Sequence, residues 1–414
     1  MALLGAPVFV VLSAYAMIGF YSTNIPFTAL IVDLYNKFAS NPLLYTIPIF
    51  TFAGYILAES KASLRMVNLS KAMLGWFHGG LAVVSLITCA IFTAFTGASG
   101  VTIIALGGLL FPALIKEKYG EKFSLGLLTS AGSLGLLFPP SLPVLIYCAV
   151  SESSVFQLFA AGFLPCILLI ILLSIFSVLN SIKEDVPKTP FNFKDVVYAI
   201  NEAKWELIIP FLLIVGIYGG FVTLGEIAAI IVTYSLFIEV FIYKDIKLHE
   251  IPSIITKSVS LVGGILIIMG ATFGLTNYMV DAEIPMVILD TMKGLITSKF
   301  LFLFILNIFL LIVGCFLDIY SALLVTIPLI LPISNSYGIS PVHLGIIFLT
   351  NLEIGYLTPP VGINLFIASY RFNKSIVSLY RASIPFILIL IIGLLIITYI
   401  PFISVGVVNL LNIK

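Results

Sequence analysis

The 414-residue sequence predicts an all-α polytopic membrane protein made of two inverted halves. Three observations predict it. The chain is 61% hydrophobic and 9% charged, with a mean hydropathy of +1.20, whereas a soluble domain carries about 25% charged residues. One broken apolar motif occurs twice, as Leu134-Gly135-Leu136-Leu137-Phe138-Pro139-Pro140 and as Ile354-Gly355-Tyr356-Leu357-Thr358-Pro359-Pro360. The offset of 220 residues (359 − 139) also relates Gly54 to Gly274, Gly135 to Gly355 and Pro112 to Pro332. The basic residues, finally, sort to one side of the membrane once the halves are placed upside down to each other.

A membrane-spanning helix needs about 20 apolar residues. Stretches of that kind run over 2–20, 41–58, 123–150, 155–182, 206–222, 225–243, 258–280, 342–370 and 382–404. The apolar start lacks the basic region of a cleaved signal peptide, so residues 2–20 read as the first span. Two longer apolar pieces are interrupted by small or polar residues. Residues 79–115 break at Thr96-Gly97-Ala98-Ser99-Gly100, and residues 300–333 break at Gly314-Cys315-Phe316-Leu317-Asp318. Each has the length of two half-length helices joined at a tip, the pattern of a re-entrant hairpin. An amphipathic arm precedes each hairpin, at 60–78 and 281–297; such helices lie in the interface plane. A third amphipathic stretch falls near 24–38.

The polar segment 183–205, with Pro187 and Pro190, divides the first repeat (1–182) from the second (206–414). With the first arm placed in the cytoplasm, 15 of the 20 basic residues fall on that side, four fall outside and Lys257 is undecided. The positive-inside rule then places the N-terminus in the cytoplasm and the C-terminus outside.

Each Pro-Pro tandem removes backbone donors and opens its helix. Opened backbone at membrane depth is tolerated where protein buries it or where it lines a cavity. A duplicated break of this kind points to a transport site near the bilayer midplane. Asp318 stands at the second tip and Glu353 just before the second break. A carboxylate at membrane depth costs about 2.5–3.5 kcal/mol on insertion scales, which makes it a functional candidate. Asp318 reads as a sodium ligand or as a cap on the next half-helix, and the two roles are compatible. Freed carbonyls at Gly135, Phe138, Gly355 and Thr358, with the hydroxyls of Ser99, Ser141 and Thr358, supply further hard oxygens. Thr129 and Thr350 read instead as hydroxyls bonded to their own helix. Asn351 and Asn364 flank the second break with donor and acceptor capacity.

Several classes are excluded or disfavoured. The four cysteines lie in apolar segments without metal-ligand spacing and read as buried thiols. The three histidines are scattered. No phosphate loop, HExxH or face-exposed carboxylate cluster is present, so the chain is expected not to be an enzyme. No basic cluster suits nucleic acid.

Thr93–Gly107, Ser130–Tyr147, Gly314–Pro332 and Gly345–Ser369 together resemble the large membrane subunit of tripartite ATP-independent periplasmic (TRAP) transporters, and the resemblance runs over essentially the whole chain. It implies a sodium-driven importer of a small organic acid, such as a C4-dicarboxylate or sialic acid, in a bacterial or archaeal cytoplasmic membrane. It implies an elevator-type fold in which a transport domain with two hairpins slides against a scaffold. The implied partners are a periplasmic substrate-binding protein and a small four-helix membrane subunit, here expected as a separate chain. The implied cosubstrate is Na+. Carried onto this sequence, a first sodium site would use Gly97, Ala98, Ser99, Gly135 and Pro139. A second would use Gly314, Asp318, Gly355, Thr358 and Pro359. The solute would sit between the tips, near Ser99, Gly100, Ser141 and Asn364. Many members carry paired serines at the first tip where this chain has Ala98 before Ser99, so one side-chain oxygen is missing. The alternative is a stand-alone inverted-repeat carboxylate or anion symporter that needs no binding protein.

Overall fold

The computed structural model describes residues 6–23, 26, 28, 32, 35, 36, 38, 39, 41, 43–187, 190–296 and 298–413. The amphipathic stretch expected near 24–38 lies mostly outside the described residues, as do the first four residues of the first expected span.

All regular structure among the described residues is helical. The first half runs α1 (Val8–Ser22), α2 (Leu43–Glu59), α3 (Ala62–Leu74), α4 (Gly80–Thr96), α5 (Ser99–Lys116), α6 (Glu121–Ala131), a 3-10 turn (Leu134–Leu137), α7 (Leu142–Ser151) and α8 (Val155–Lys183). A connecting helix, α9 (Phe193–Tyr218), follows. The second half runs α10 (Leu224–Phe237, extended by a π-helical turn Ile238–Ile242), α11 (Ile251–Asp281), α12 (Ile284–Leu295), α13 (Lys299–Phe316), α14 (Ile319–Ser336), α15 (Pro341–Gly355), α16 (Ile363–Phe372), α17 (Ile376–Tyr399) and α18 (Phe402–Leu410).

The 220-residue offset holds element by element. Shifted by it, α5 falls on α14, α4 on α13, α6 with its 3-10 turn on α15, α7 on α16 and α8 on α17. Both tandems, Pro139-Pro140 and Pro359-Pro360, are cis. By length and composition, seven described helices can cross a membrane, or nine when the two bent pairs α2/α3 and α6/α7 are counted as spans. The arm α3 turns 70° from α2, and α7 turns 43° from the helix before it.

The local signals explain where helices start and stop. Gly97 ends α4 with φ +67°, a conformation that costs glycine no Cβ clash. Ser154, Ser340 and Ser375 cap α8, α15 and α17 by accepting a backbone N–H three residues on. Thr223 and Glu226 form a reciprocal capping box at the start of α10.

Two features differ from the sequence reading. Within the polar linker expected over 183–205, the described residues 184–187 and 190–192 are non-helical. The Asn192 side chain accepts the Lys194 N–H, and α9 then runs unbroken into the apolar stretch. The hairpin arms are also longer than half-length. At 17 and 18 residues they are about 26–27 Å long, near the full hydrocarbon thickness of about 30 Å. The first tip nevertheless ends inside the protein, because its apolar arms pack against the broken helices; at the second tip Gly314 and Cys315 are buried, Asp318 is half-buried and Phe316 is exposed.

Candidate functional site

The hairpins engage the opposite halves reciprocally. The second arm of the first hairpin, α5, packs on α16; the second arm of the second hairpin, α14, packs on α7. Each tip therefore lies beside the helix break of the other half. Within each half, a glycine lets the break approach its own hairpin. A Cβ on Gly135 would stand 1.9 Å from the Ala90 carbonyl oxygen and 2.7 Å from the Ala94 nitrogen. A Cβ on Gly355 would stand 2.6 Å from the Gly314 Cα. Only hydrogen fits at these positions, so break and hairpin meet backbone to backbone.

At the first tip, Gly97 lies against Leu142 just past the Pro139-Pro140 tandem. Its carbonyl accepts the Tyr320 hydroxyl at 2.7 Å. Thr93 binds Thr102 across the hairpin at 2.6 Å and donates to the Gly132 carbonyl at 2.8 Å, pinning both arms to the first break. Ser99 donates to Asn364 Oδ1 at 2.7 Å, joining the first tip to the second break. Ser99 is 5% exposed and Asn364 0% exposed, and the Asn364 amide nitrogen has no protein partner.

At the second tip, Asp318 is the N-cap of α14. Its Oδ1 accepts the N–H groups of Tyr320 and Ser321 at 3.0 Å, and its Oδ2 accepts the Ser321 hydroxyl. The cap role weighed from sequence is therefore occupied in full, and the carboxylate keeps lone pairs for a further partner. Ala98 holds the equivalent N-cap position of α5, with extended backbone and no side-chain cap. The two tips thus differ by one carboxylate. The Tyr356 hydroxyl accepts the Ile319 N–H, and the Gly362 N–H donates to the Cys315 carbonyl at 3.3 Å, fastening the second break to the second hairpin.

The structure accordingly brings Ser99 and Asn364 into contact, places Gly97 beside the residue following Ser141, and sets Gly314 on Gly355. Other expected residues are engaged locally. Ser141 donates to the Leu136 carbonyl of its own break, and Thr358 donates to Ile354 O at 2.9 Å. The Gly135 and Gly355 carbonyls accept the N–H groups of Phe138 and Thr358 within their turns, both at 3.0 Å. Gly100 faces Ile367 of α16, where a Cβ would stand 2.6 Å from its Cδ1. Pro139 is half-buried and Pro359 exposed.

Thr129 and Thr350 bond their own helices, as expected. Asn351 donates to Asn307 Oδ1 and to Ile347 O, both at 2.8 Å, a helix-joining role. Glu353 is 0% exposed and neither carboxylate oxygen has a protein partner. Sequence reading missed Tyr320 and Tyr356, because an aromatic residue in an apolar helix carries no local sign that its hydroxyl crosses to another element. The arm at 60–78, expected to lie in the interface plane, also carries Arg65. In the structure Arg65 is buried and binds Glu206, Glu239 (3.0 Å) and Asp245 (2.6 Å), with its guanidinium 3.7 Å from the Tyr243 ring centre.

Two similar halves, each with a hairpin ending against a broken helix, define an inverted-repeat membrane transporter as the class. Comparison with known proteins carries this to a family. The model of the family described as "Tripartite ATP-independent periplasmic transporter, DctM component" matches residues 1–403. The C4-dicarboxylate TRAP transporter large permease protein DctM of Vibrio cholerae is 33% identical over 91% of this chain and 88% of that protein. The ectoine/5-hydroxyectoine large permease UehC of Ruegeria pomeroyi is 31% identical over 94% and 91%. The isethionate permease DctMQ of Oleidesulfovibrio alaskensis is 34% identical over 89% of this chain and 58% of that protein. The crystal structure of the YdaH transporter of Alcanivorax borkumensis superposes with a TM-score of 0.70 at 12% identity, covering 97% and 99% of the two chains, a likeness of fold. The chain belongs to the DctM family, the large membrane subunit of TRAP transporters.

Proposed function

We propose that this permease imports a small organic acid by sodium symport in the cytoplasmic membrane, with a periplasmic binding protein delivering the solute and a small membrane subunit completing the scaffold. The observation that carries the reading is Asn364. Its amide N–H2 is fully buried and unpartnered where the first hairpin tip meets the second break. A buried donor without an acceptor costs about 1–3 kcal/mol, and a carboxylate oxygen is an acceptor that fits it. Relatives whose names specify C4-dicarboxylate and isethionate make an anionic organic solute the leading class. Sodium, the cosubstrate, would take oxygens at the two tips and breaks, with Asp318 as the charged ligand of the second site. The first tip, with Ala98 in place of an oxygen-bearing residue, would rely on carbonyls and Ser99. Because Ser99, Ser141 and Asn364 are buried, solute access requires the tips to move, and sliding of the hairpins and broken helices as one body against a scaffold exposes them alternately to the two sides.

Uptake into proteoliposomes tests the reading. We expect accumulation of one labelled organic acid only with an inward sodium gradient, the cognate binding protein and the small subunit. Full uptake without the binding protein would favour the stand-alone symporter, and indifference to sodium would remove the coupling. Asn364→Asp, which exchanges the free donor for a carboxylate oxygen, is expected to lower uptake of an anionic solute more than ten-fold while the protein still inserts.

A further inference from the structure

Tyr320 touches both candidate cation sites. It lies in the first turn of α14, two residues past Asp318. Its backbone N–H donates to Asp318 Oδ1 at 3.0 Å, and its hydroxyl donates to the Gly97 carbonyl at 2.7 Å, 223 residues away in sequence. The same turn is braced from behind, where the Tyr356 hydroxyl accepts the Ile319 N–H. The other bond from the first tip to the second half, Ser99 to Asn364, reaches the break and bypasses the turn that holds Asp318. The Tyr320 bond is therefore the direct link from the second tip to the first. It also uses one of the two lone pairs of the Gly97 carbonyl and orients the other.

We propose that Tyr320 is a positioning residue that couples the two cation sites, its hydroxyl holding the Gly97 carbonyl in place when the Asp318 turn is ordered. This rests on the sodium-symport reading above. A cation bound to Asp318 immobilises the turn that carries Tyr320, and through the hydroxyl it orders the first tip. Reciprocity requires the converse, that a cation at the first tip tightens binding at Asp318. The ring's packing contacts are non-directional, whereas the hydroxyl bond is directional and fixes where the Gly97 carbonyl points.

Tyr320→Phe keeps the ring and removes the hydroxyl. Sodium titrations of solute uptake, in proteoliposomes holding the permease, small subunit and binding protein, read the coupling. We expect a sigmoidal dependence for the native chain. For Tyr320→Phe we expect about a five-fold higher half-saturation and a slope reduced toward one, with insertion retained. An unchanged half-saturation and slope would overturn the proposal, even where native uptake is sodium-driven. A second measurement needs neither uptake nor a change at Tyr320. With Ala98→Cys as a reporter at the first tip, added Asp318→Asn is expected to change how much saturating sodium slows or speeds thiol labelling, because the cation-ordered turn acts on the tip through the link. An equal sodium effect would overturn the coupling. Native uptake that ignores sodium would overturn the symport reading, and the labelling comparison would show separately whether the tips are linked.

Discussion

At the scale of single residues, the second tip is organised by one carboxylate. Asp318 satisfies two of the four N–H groups that a helix start leaves free, and it also accepts the Ser321 hydroxyl. Asparagine is as good an N-cap as aspartate, so Asp318→Asn separates capping from charge. We expect this variant to insert and to keep its melting temperature within a few degrees, while the sodium half-saturation of uptake rises about ten-fold or more. A native sodium response would remove Asp318 from the cation site. Ala98 shows the same logic in reverse, since the helix it precedes starts without a side-chain cap. The missing oxygen was legible in the sequence, and the 220-residue offset pairs Ala98 with Asp318; only the structure shows that both are helix N-caps, one with a side-chain cap and one without.

At the scale of elements, the site depends on backbone contact between break and hairpin. Gly355 and Gly314 are in van der Waals contact, and neither backbone has room to yield. Gly355→Ala is expected to destabilise the folded protein by about 1–3 kcal/mol and to abolish uptake; a melting curve in detergent together with the transport assay checks both. The arm α3 is tied differently. Arg65 answers three carboxylates from α9, the π-helical turn after α10 and the loop beyond it, and both Glu206 and Glu239 are almost fully buried. Breaking a buried ion pair by removing one partner costs about 3–5 kcal/mol. Arg65→Ala is therefore expected to lower the melting temperature sharply. Arg65→Lys should not restore it, because one ammonium cannot copy the three-way fork. Added Glu239→Gln should recover part of the loss, and recovery by lysine alone would show that charge rather than geometry matters. The amphipathic pattern of 60–78 revealed a helix but not this cluster, because its acids lie about 140 to 180 residues away.

At the scale of the whole molecule, α9 and the short terminal α18 have no counterpart at the 220-residue offset. The arrangement expected from the sequence, with each hairpin entering and leaving on one side, assigns four crossings to each half, from α1, α2, the broken helix and α8 in the first and from α10, α11, the second broken helix and α17 in the second. Four crossings return the chain to its starting side. The expected arrangement needs α9 as the odd crossing, which would set the second half upside down. It predicts where added thiols will be reached. All four native cysteines are buried, so single additions stand out. Lys183→Cys, at the exposed end of α8, is expected to react with a membrane-impermeant maleimide only from the cytoplasmic side. Asn335→Cys, at the exposed end of α14, should react only from the outside. Labelling of both positions from one side would refute the inverted arrangement.

The sequence by itself determined the membrane class, the duplication and the positions of the breaks. Those properties are written in local composition and spacing: apolar runs must be helical in lipid, and a Pro-Pro tandem removes two neighbouring backbone donors and opens its helix, whereas the single prolines at Pro48, Pro165 and Pro210 stand inside unbroken helices. It also singled out Ser99, Asn364 and Asp318, since polar residues are conspicuous in apolar surroundings. Only the tertiary structure decided which of them meet. That Ser99 finds Asn364, that Tyr320 reaches Gly97, and that Ser141 and Thr358 turn back to their own breaks follows from how two hairpins pack across two halves. Contacts between residues more than 200 positions apart depend on the shape of every helix between them, and no local pattern encodes that.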